Sequence, residues 1–212
     1  MIKNNKIKFI ISSVIILLPI VIGLVFWSSL PDKMAIHFAM DNTPDGFASK
    51  GMTVFGLPLF MLALHWIGIF ATSFDKKNKD QNPKILSMIL FLCPALSLMA
   101  AILTYSHAFG KNPNVGMIVM LFLGILFIII GNYLPKCKPN HTIGIRLFTT
   151  LNDDKIWFKI HRIGGTSFMI GGIMIAVSAF LPINIMPFTS IGAIAIIILV
   201  PTIYSIILYR KK

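Results

Sequence analysis

Six stretches of this chain each run for roughly 20 residues without one Asp, Glu, Lys or Arg: Phe9 to Ser29, Thr53 to Phe74, Ile85 to His107, Val115 to Leu134, Ile163 to Leu181, and Ser190 to Leu208. A hydrocarbon core of about 30 Å takes about 20 residues of α-helix to cross. Lipid offers no partner to a backbone N–H or C=O, so a single crossing segment must bond to itself as a helix. The pattern therefore predicts an all-α membrane protein with six transmembrane helices. Only 12% of the residues are charged, against about 25% in a soluble domain. The first stretch follows Lys3, Lys6 and Lys8 but is too long for a signal-peptide core and has no small-x-small cleavage site after it, so it is expected to be retained. One polytopic domain, 1–212, is expected. Its parts are residues 1–74 with the first two spans and a loop at 30–50, residues 75–134 with spans three and four, and residues 135–212 with a second loop and spans five and six.

Short loops rich in Lys and Arg stay in the cytoplasm. With the amino terminus inside, 16 of the 19 basic residues fall on the inner side, and only Lys33, Lys50 and Lys111 fall outside, balanced there by Asp32, Asp41 and Asp45. Both termini are therefore expected on the cytoplasmic side. The net charge of +12 lies wholly on the inner face. It is topogenic, it predicts no direct nucleic-acid contact, and it suits anionic lipid headgroups.

The spans carry few groups for chemistry. Pro19, Pro58, Pro94 and Pro201 fall inside them and can kink the helices. Ser167 with Gly171 and Gly172 with Ala176 are small-xxx-small pairs that favour close helix packing. His65 and, at an edge, His107 are their only histidines. A coupled transporter or channel for a small solute or peptide is the alternative function, but it usually needs a relay of ionisable groups, whereas His65 reads as a polar residue satisfied between helices. No nucleophile with a placed base and no HExxH pattern points to an enzyme, and no cofactor is called for. Cys93 and Cys137 are not placed to pair.

Two loops are not generic. The first, Leu30 to Lys50, is about 20 residues long and has turn chemistry at Pro31-Asp32 and at Pro44-Asp45-Gly46, so a folded extracytoplasmic cap is expected. His37, Asp41 and Asp45 have no second His or Cys to complete a metal site, and bonding within the loop is the simpler role. The second loop, Pro135 to Arg162, has a helical second half. Asn152 is the expected N-cap, with Asp153 and Asp154 in the first turn. Lys155, Lys159 and Arg162 lie on one face, and Ile156, Ile160 and Trp157 on the apolar side. That pattern predicts a cytoplasmic amphipathic helix at the interface, feeding the fifth span. In the run before it, Gly144 between two isoleucines and the lone Arg146 suggest a defined turn at headgroup level.

These loops resemble the SdpI family of bacterial membrane proteins. The first matches at Leu30-Pro31, Ile36-His37-Phe38, Pro44-Asp45-Gly46 and Ser49-Lys50. The second matches at Gly131 to Pro135, Asn140, Ile143 to Arg146, Thr150-Leu151, Trp157, His161-Arg162 and Gly164-Gly165. The resemblance implies immunity to a membrane-active secreted peptide toxin and signalling through a cytoplasmic winged-helix autorepressor. It implies toxin contact at His37, Phe38, Asp45, Gly46 and Lys50, and signalling through Asn140, Gly144, Arg146, Trp157, His161 and Arg162. Two departures stand out: Asn42 replaces a usual Gly, and Leu147-Phe148-Thr149 replaces Thr-Pro-Trp.

Overall fold

A computed structural model of the chain describes residues 5–211. Lys3 and Lys212, which entered the charge count, lie outside the described residues. Six helices are long and apolar enough to cross a membrane, and the protein is a multi-pass membrane protein. They are α1 (Lys6–Val25), α2 (Leu57–Phe74), α3 (Pro83–Ala108), α4 (Val115–Tyr133), α6 (Asp154–Ser178) and α7 (Met186–Arg210), with a one-turn α5 (Phe148–Leu151) before α6. Exposed Ile10, Ile67, Ile173 and Ile198 on their flanks suit contact with lipid tails.

Two findings amend the expected all-helical plan. The first loop folds as an antiparallel hairpin of β1 (Lys33–Phe38) and β2 (Pro44–Ser49). Its reversal lies at residues 39–43, where the Ala39 N–H donates to the Thr43 carbonyl at 2.8 Å and Asn42 has φ +66°. Pro44-Asp45-Gly46 is therefore strand and not turn. Asn42, short and polar, is one of the few side chains at ease in that left-handed conformation. In the second loop, Asp153 and not Asn152 caps α6, its carboxylate accepting from the N–H groups of Lys155 and Ile156. Moreover, α6 runs unbroken from Asp154 to Ser178, so the expected amphipathic segment and the fifth span are one helix.

The chain divides into two compact units. The first, Met1–Phe74 with Leu86–Val115, holds α1, the hairpin, α2 and most of α3. Gly23 allows α1 to approach closely, since a Cβ there would sit 2.5 Å from Val54 and 2.7 Å from the Tyr105 hydroxyl. Buried Leu30, Met34, Val54 and Tyr105 form a cluster under the hairpin. His65 is buried and shares a 2.9 Å hydrogen bond with Ser12 of α1, the satisfied polar role expected of it. Met52–Gly56, ahead of α2, form a π-helical turn; Pro58, having no N–H, cannot close the ordinary bond to Val54.

The second unit, Asp75–Ile85 with Gly116–Lys212, is held by a glycine seam between α4 and α6. A Cβ on Gly124 would meet the Gly172 carbonyl and the Ala176 N–H at 2.6 Å, and one on Gly131 would meet the Gly165 carbonyl at 2.6 Å. Backbones that touch in this way gain packing that lipid tails cannot supply. On the far side, Gly171 lets α7 close in, with Ala193, Ile197 and Ile175 buried there. A Gly172→Leu substitution should overpack this seam and cost about 1–3 kcal/mol, read as a lower unfolding midpoint in detergent. An unchanged midpoint would show the seam to be loose.

Candidate functional site

The residues from Leu134 to Asn152 need partners for many backbone groups, and the second unit supplies them with a set of buried amides, hydroxyls and rings. Asn140 is 2% exposed. Its Oδ1 accepts from the N–H groups of Thr142 and Ile143, and its Nδ2 donates to the carbonyls of Lys138 and Ile143. One side chain thus fastens the turn from inside. Gln81 clamps the same strand-like stretch, donating to the Lys138 carbonyl at 3.1 Å and accepting from its N–H at 3.0 Å. Asn78 donates to the Thr142 hydroxyl at 2.7 Å.

From the other side come the first turns of α6. Trp157 is fully buried and donates its indole N–H to the Cys137 carbonyl at 2.9 Å. It stacks on His161, ring centroids 4.0 Å apart. His161 Nδ1 lies 2.9 Å from the Trp157 carbonyl and Nε2 lies 3.0 Å from the Ile145 N–H. A carbonyl can only accept and an amide N–H can only donate, so the proton sits on Nδ1 and Nε2 is the acceptor. The ring thereby ties the loop to the helix. Gly144, at φ +107°, passes so close that a Cβ would fall within 3.0 Å of His161 Nε2. Gly164 makes room for Ile145 in the same way. Thr150 closes the end of the loop, accepting from the Leu147 N–H and donating to the Ile145 carbonyl.

The six residues marked out here by sequence thus divide. Asn140, Trp157 and His161 are brought together as the interior of a docked loop, and Gly144, exposed on its outer side, packs its backbone against His161. Arg146 and Arg162 are exposed, and Arg146 donates to the His141 carbonyl at 2.8 Å. At the departure from the family pattern, Phe148 is exposed with its ring edge-on to Tyr209, and Thr149 bonds Ser205 of α7.

Asp75, Asn78, Gln81, Cys137, Thr142 and Thr150 were not anticipated. For Asp75, Asn78 and Gln81 the signal was the cluster of amides and carboxylates in the short run from Asp75 to Asn82, masked by its lysines. Cys137 is buried, and burial pushes its thiol up to about 11, partly opposed by hydrogen bonds from Asn140 and Gln81. A thiol so protonated is unreactive while the loop is docked.

Asp75 accepts from the N–H of His141 at 2.6 Å and of Lys77 at 3.1 Å, with the His141 ring 3.6 Å away. Burial raises its carboxyl, but the bonds from His141 and Lys77 and the His141 ring outweigh it and hold the group below its ordinary 3.8. A depressed carboxyl lends stability above its unfolded value and loses it as pH falls through the folded one. Acidification below about pH 4 should therefore release the 138–142 turn, and Asp75→Asn should weaken it at neutral pH. Hydrogen exchange of the His141 amide tests both. Equal protection at pH 3 and pH 7 would refute the role given to Asp75.

The hairpin carries the other marked residues. His37 Nδ1 and Asp45 Oδ1 pair at 2.5 Å on an exposed face, and Gly46 lies opposite His37 in register, with no space for a Cβ. Phe38 packs edge-on against His107, 5.3 Å between centroids. Lys50 lies at the base, donating to the Trp27 carbonyl at 3.2 Å and facing Asp32 at 3.4 Å. Asp41 bonds the Thr43 N–H and hydroxyl within the turn. Among the described residues no three His, Cys, Asp or Glu side chains gather as a metal set.

Comparison with known proteins gives these two regions their context. A domain of unknown function, DUF1648, matches residues 14–62, which take in most of α1, the hairpin and the start of α2. The SdpI/YfhL protein family matches residues 136–205. That region contains all six marked loop residues and ends at Ser205, the partner of Thr149. Immunity protein SdpI of Bacillus subtilis (strain 168) is 26% identical over 206 residues, covering 96% of this chain and 97% of that protein. No solved structure gives a significant match.

Proposed function

We propose that this chain protects its cell from a membrane-active secreted toxin and signals the toxin's presence by holding a cytoplasmic winged-helix autorepressor at the membrane. The observation that carries the reading is the end-to-end similarity to a protein named for immunity, which includes both the hairpin and the docked loop. The protein would lie in the bacterial cytoplasmic membrane with both termini inside. The exposed His37–Asp45 pair, with Phe38, Gly46 and Lys50, would form the outer toxin-facing surface. Inside, Arg146 and Arg162 would meet the repressor or anionic lipid headgroups, while Asn140, Gly144, Trp157 and His161 hold them in place.

Signalling requires that toxin favour one arrangement of the inner loop over another, by about 1.4 kcal/mol for each tenfold shift in repressor affinity. Deleting the gene and challenging cells with the candidate toxin, with membrane potential as the readout, tests immunity; unchanged sensitivity would refute it. Arg146→Ala with Arg162→Ala should abolish repressor capture and leave protection intact. If both activities disappear at normal protein levels, the division into two arms is wrong.

A further inference from the structure

The first unit encloses a cavity of about 250 Å³ that neither the hairpin nor the docked loop touches. Its floor is Pro19 of α1, and its walls are Leu57, Pro58 and Met61 of α2 and Ala100 and Ala101 of α3. Backbone irregularity explains why it is not filled. The π-helical turn at Met52–Gly56 and the missing N–H of Pro58 widen the start of α2, and opposite Leu57 and Met61 the α3 wall includes the small side chains of Ala100, Ala101 and Ser97.

Four hydroxyls border the cavity, those of Thr53, Ser97, Thr104 and Tyr105. Three are already donated to backbone carbonyls: Thr53 to Ser49 at 3.1 Å, Ser97 to Ile16 at 3.2 Å, and Tyr105 to Pro19 at 2.7 Å. No charged side chain lines it. Water needs two to four polar partners to stay in such a space, and an apolar cavity of roughly 150 Å³ already takes a benzene-sized guest. Leaving it empty forfeits dispersion contacts along the whole wall. The exposed residues among its lining, Phe60 and Ala100, lie on the flanks of α2 and α3 and not in a loop.

We infer that this cavity is a binding site for one acyl chain of a membrane phospholipid, entering sideways between Phe60 and Ala100. The bilayer supplies that chain at the mouth, its shape is narrow and unbranched, and its headgroup stays outside where no charged partner is needed.

The test uses the full chain in nanodiscs doped with a phosphatidylglycerol that carries a photoactivatable diazirine in mid-chain. Crosslinks mapped by mass spectrometry should concentrate on Met61, Ala100 and Ala101. They should fall about tenfold in Ala100→Phe and in Leu57→Trp, while crosslinks on Ile198 and Ile203 of α7 stay unchanged. Labelling spread evenly over all lipid-facing positions in the unsubstituted protein overturns the inference, whether or not the variants fold. So does labelling at these three residues by a diazirine-bearing free fatty acid alone, which would make the occupant a fatty acid and not a phospholipid.

Discussion

Gly144→Ala should open the docked loop. The added methyl meets two obstacles: a backbone at φ +107° and the Nε2 atom of His161. Left-handed strain in an L-residue costs roughly 1–2 kcal/mol, and leaving the part-buried Ile145 N–H without its acceptor costs about 1 kcal/mol. Together they favour the undocked loop by well over tenfold. Cys137 reports the change, because its thiol is buried and held protonated while the loop is closed. In a Cys93→Ala background, maleimide should leave the unsubstituted loop nearly untouched and modify Gly144→Ala rapidly. Gly110→Ala is the control, since φ there is +75° but no atom lies within 4 Å of an added carbon. Its Cys137 should stay protected. Protection of Cys137 in Gly144→Ala as well would mean that the close approach to His161 does not hold the loop.

Trp157→Ala should be the most damaging single truncation of the site. The side chain is fully buried, and removing a buried Trp costs about 3–5 kcal/mol. It would also strip the Cys137 carbonyl of its donor and His161 of its stacking partner. Trp157→Phe keeps most of the ring and loses the N–H, a cost of about 0.5–1.5 kcal/mol. Arg146→Ala, an exposed change, should stay within about 0.5 kcal/mol. Unfolding midpoints in detergent should follow that order. If Trp157→Ala unfolds with the unsubstituted protein, Trp157 is not what holds the loop. The order also sharpens the functional test: a Trp157 variant that loses repressor capture has lost the scaffold, whereas an Arg146 variant has lost only a contact.

The six membrane helices could be read from the chain because lipid imposes one rule on every residue of a span, the exclusion of charge. The helix boundaries could not, since Lys155, Lys159 and Arg162 can project from a helix that continues into the membrane, as they do from α6. The hairpin was hidden for a different reason. Pro44-Asp45-Gly46 has the composition of a turn, yet pairing with β1 draws it into a strand, and Asn42 takes the reversal. In the loop, Asn140, Gly144 and His161 could be picked out by residue type. The turn they shape is also clamped by Asp75, Asn78 and Gln81, more than 50 residues away in sequence, which no local pattern connects to it. Trp157 read as one side of an amphipathic surface because its spacing cannot say whether an apolar face meets lipid or protein.

The unbroken course of α6 has a mechanical consequence. Trp157 and His161 sit near one end of a stiff rod, and Gly172, where the rod crosses α4 backbone against backbone, lies 15 residues further on. At 1.5 Å per residue the separation is about 22 Å. A small pivot there would have to slide Gly165 along Gly131, the seam's other close contact. A tilt of about 10° at that fulcrum would sweep Trp157 through about 4 Å, more than the length of any hydrogen bond in the docked loop. Any such tilt would therefore carry the loop's buried anchor with it, because one continuous helix holds both.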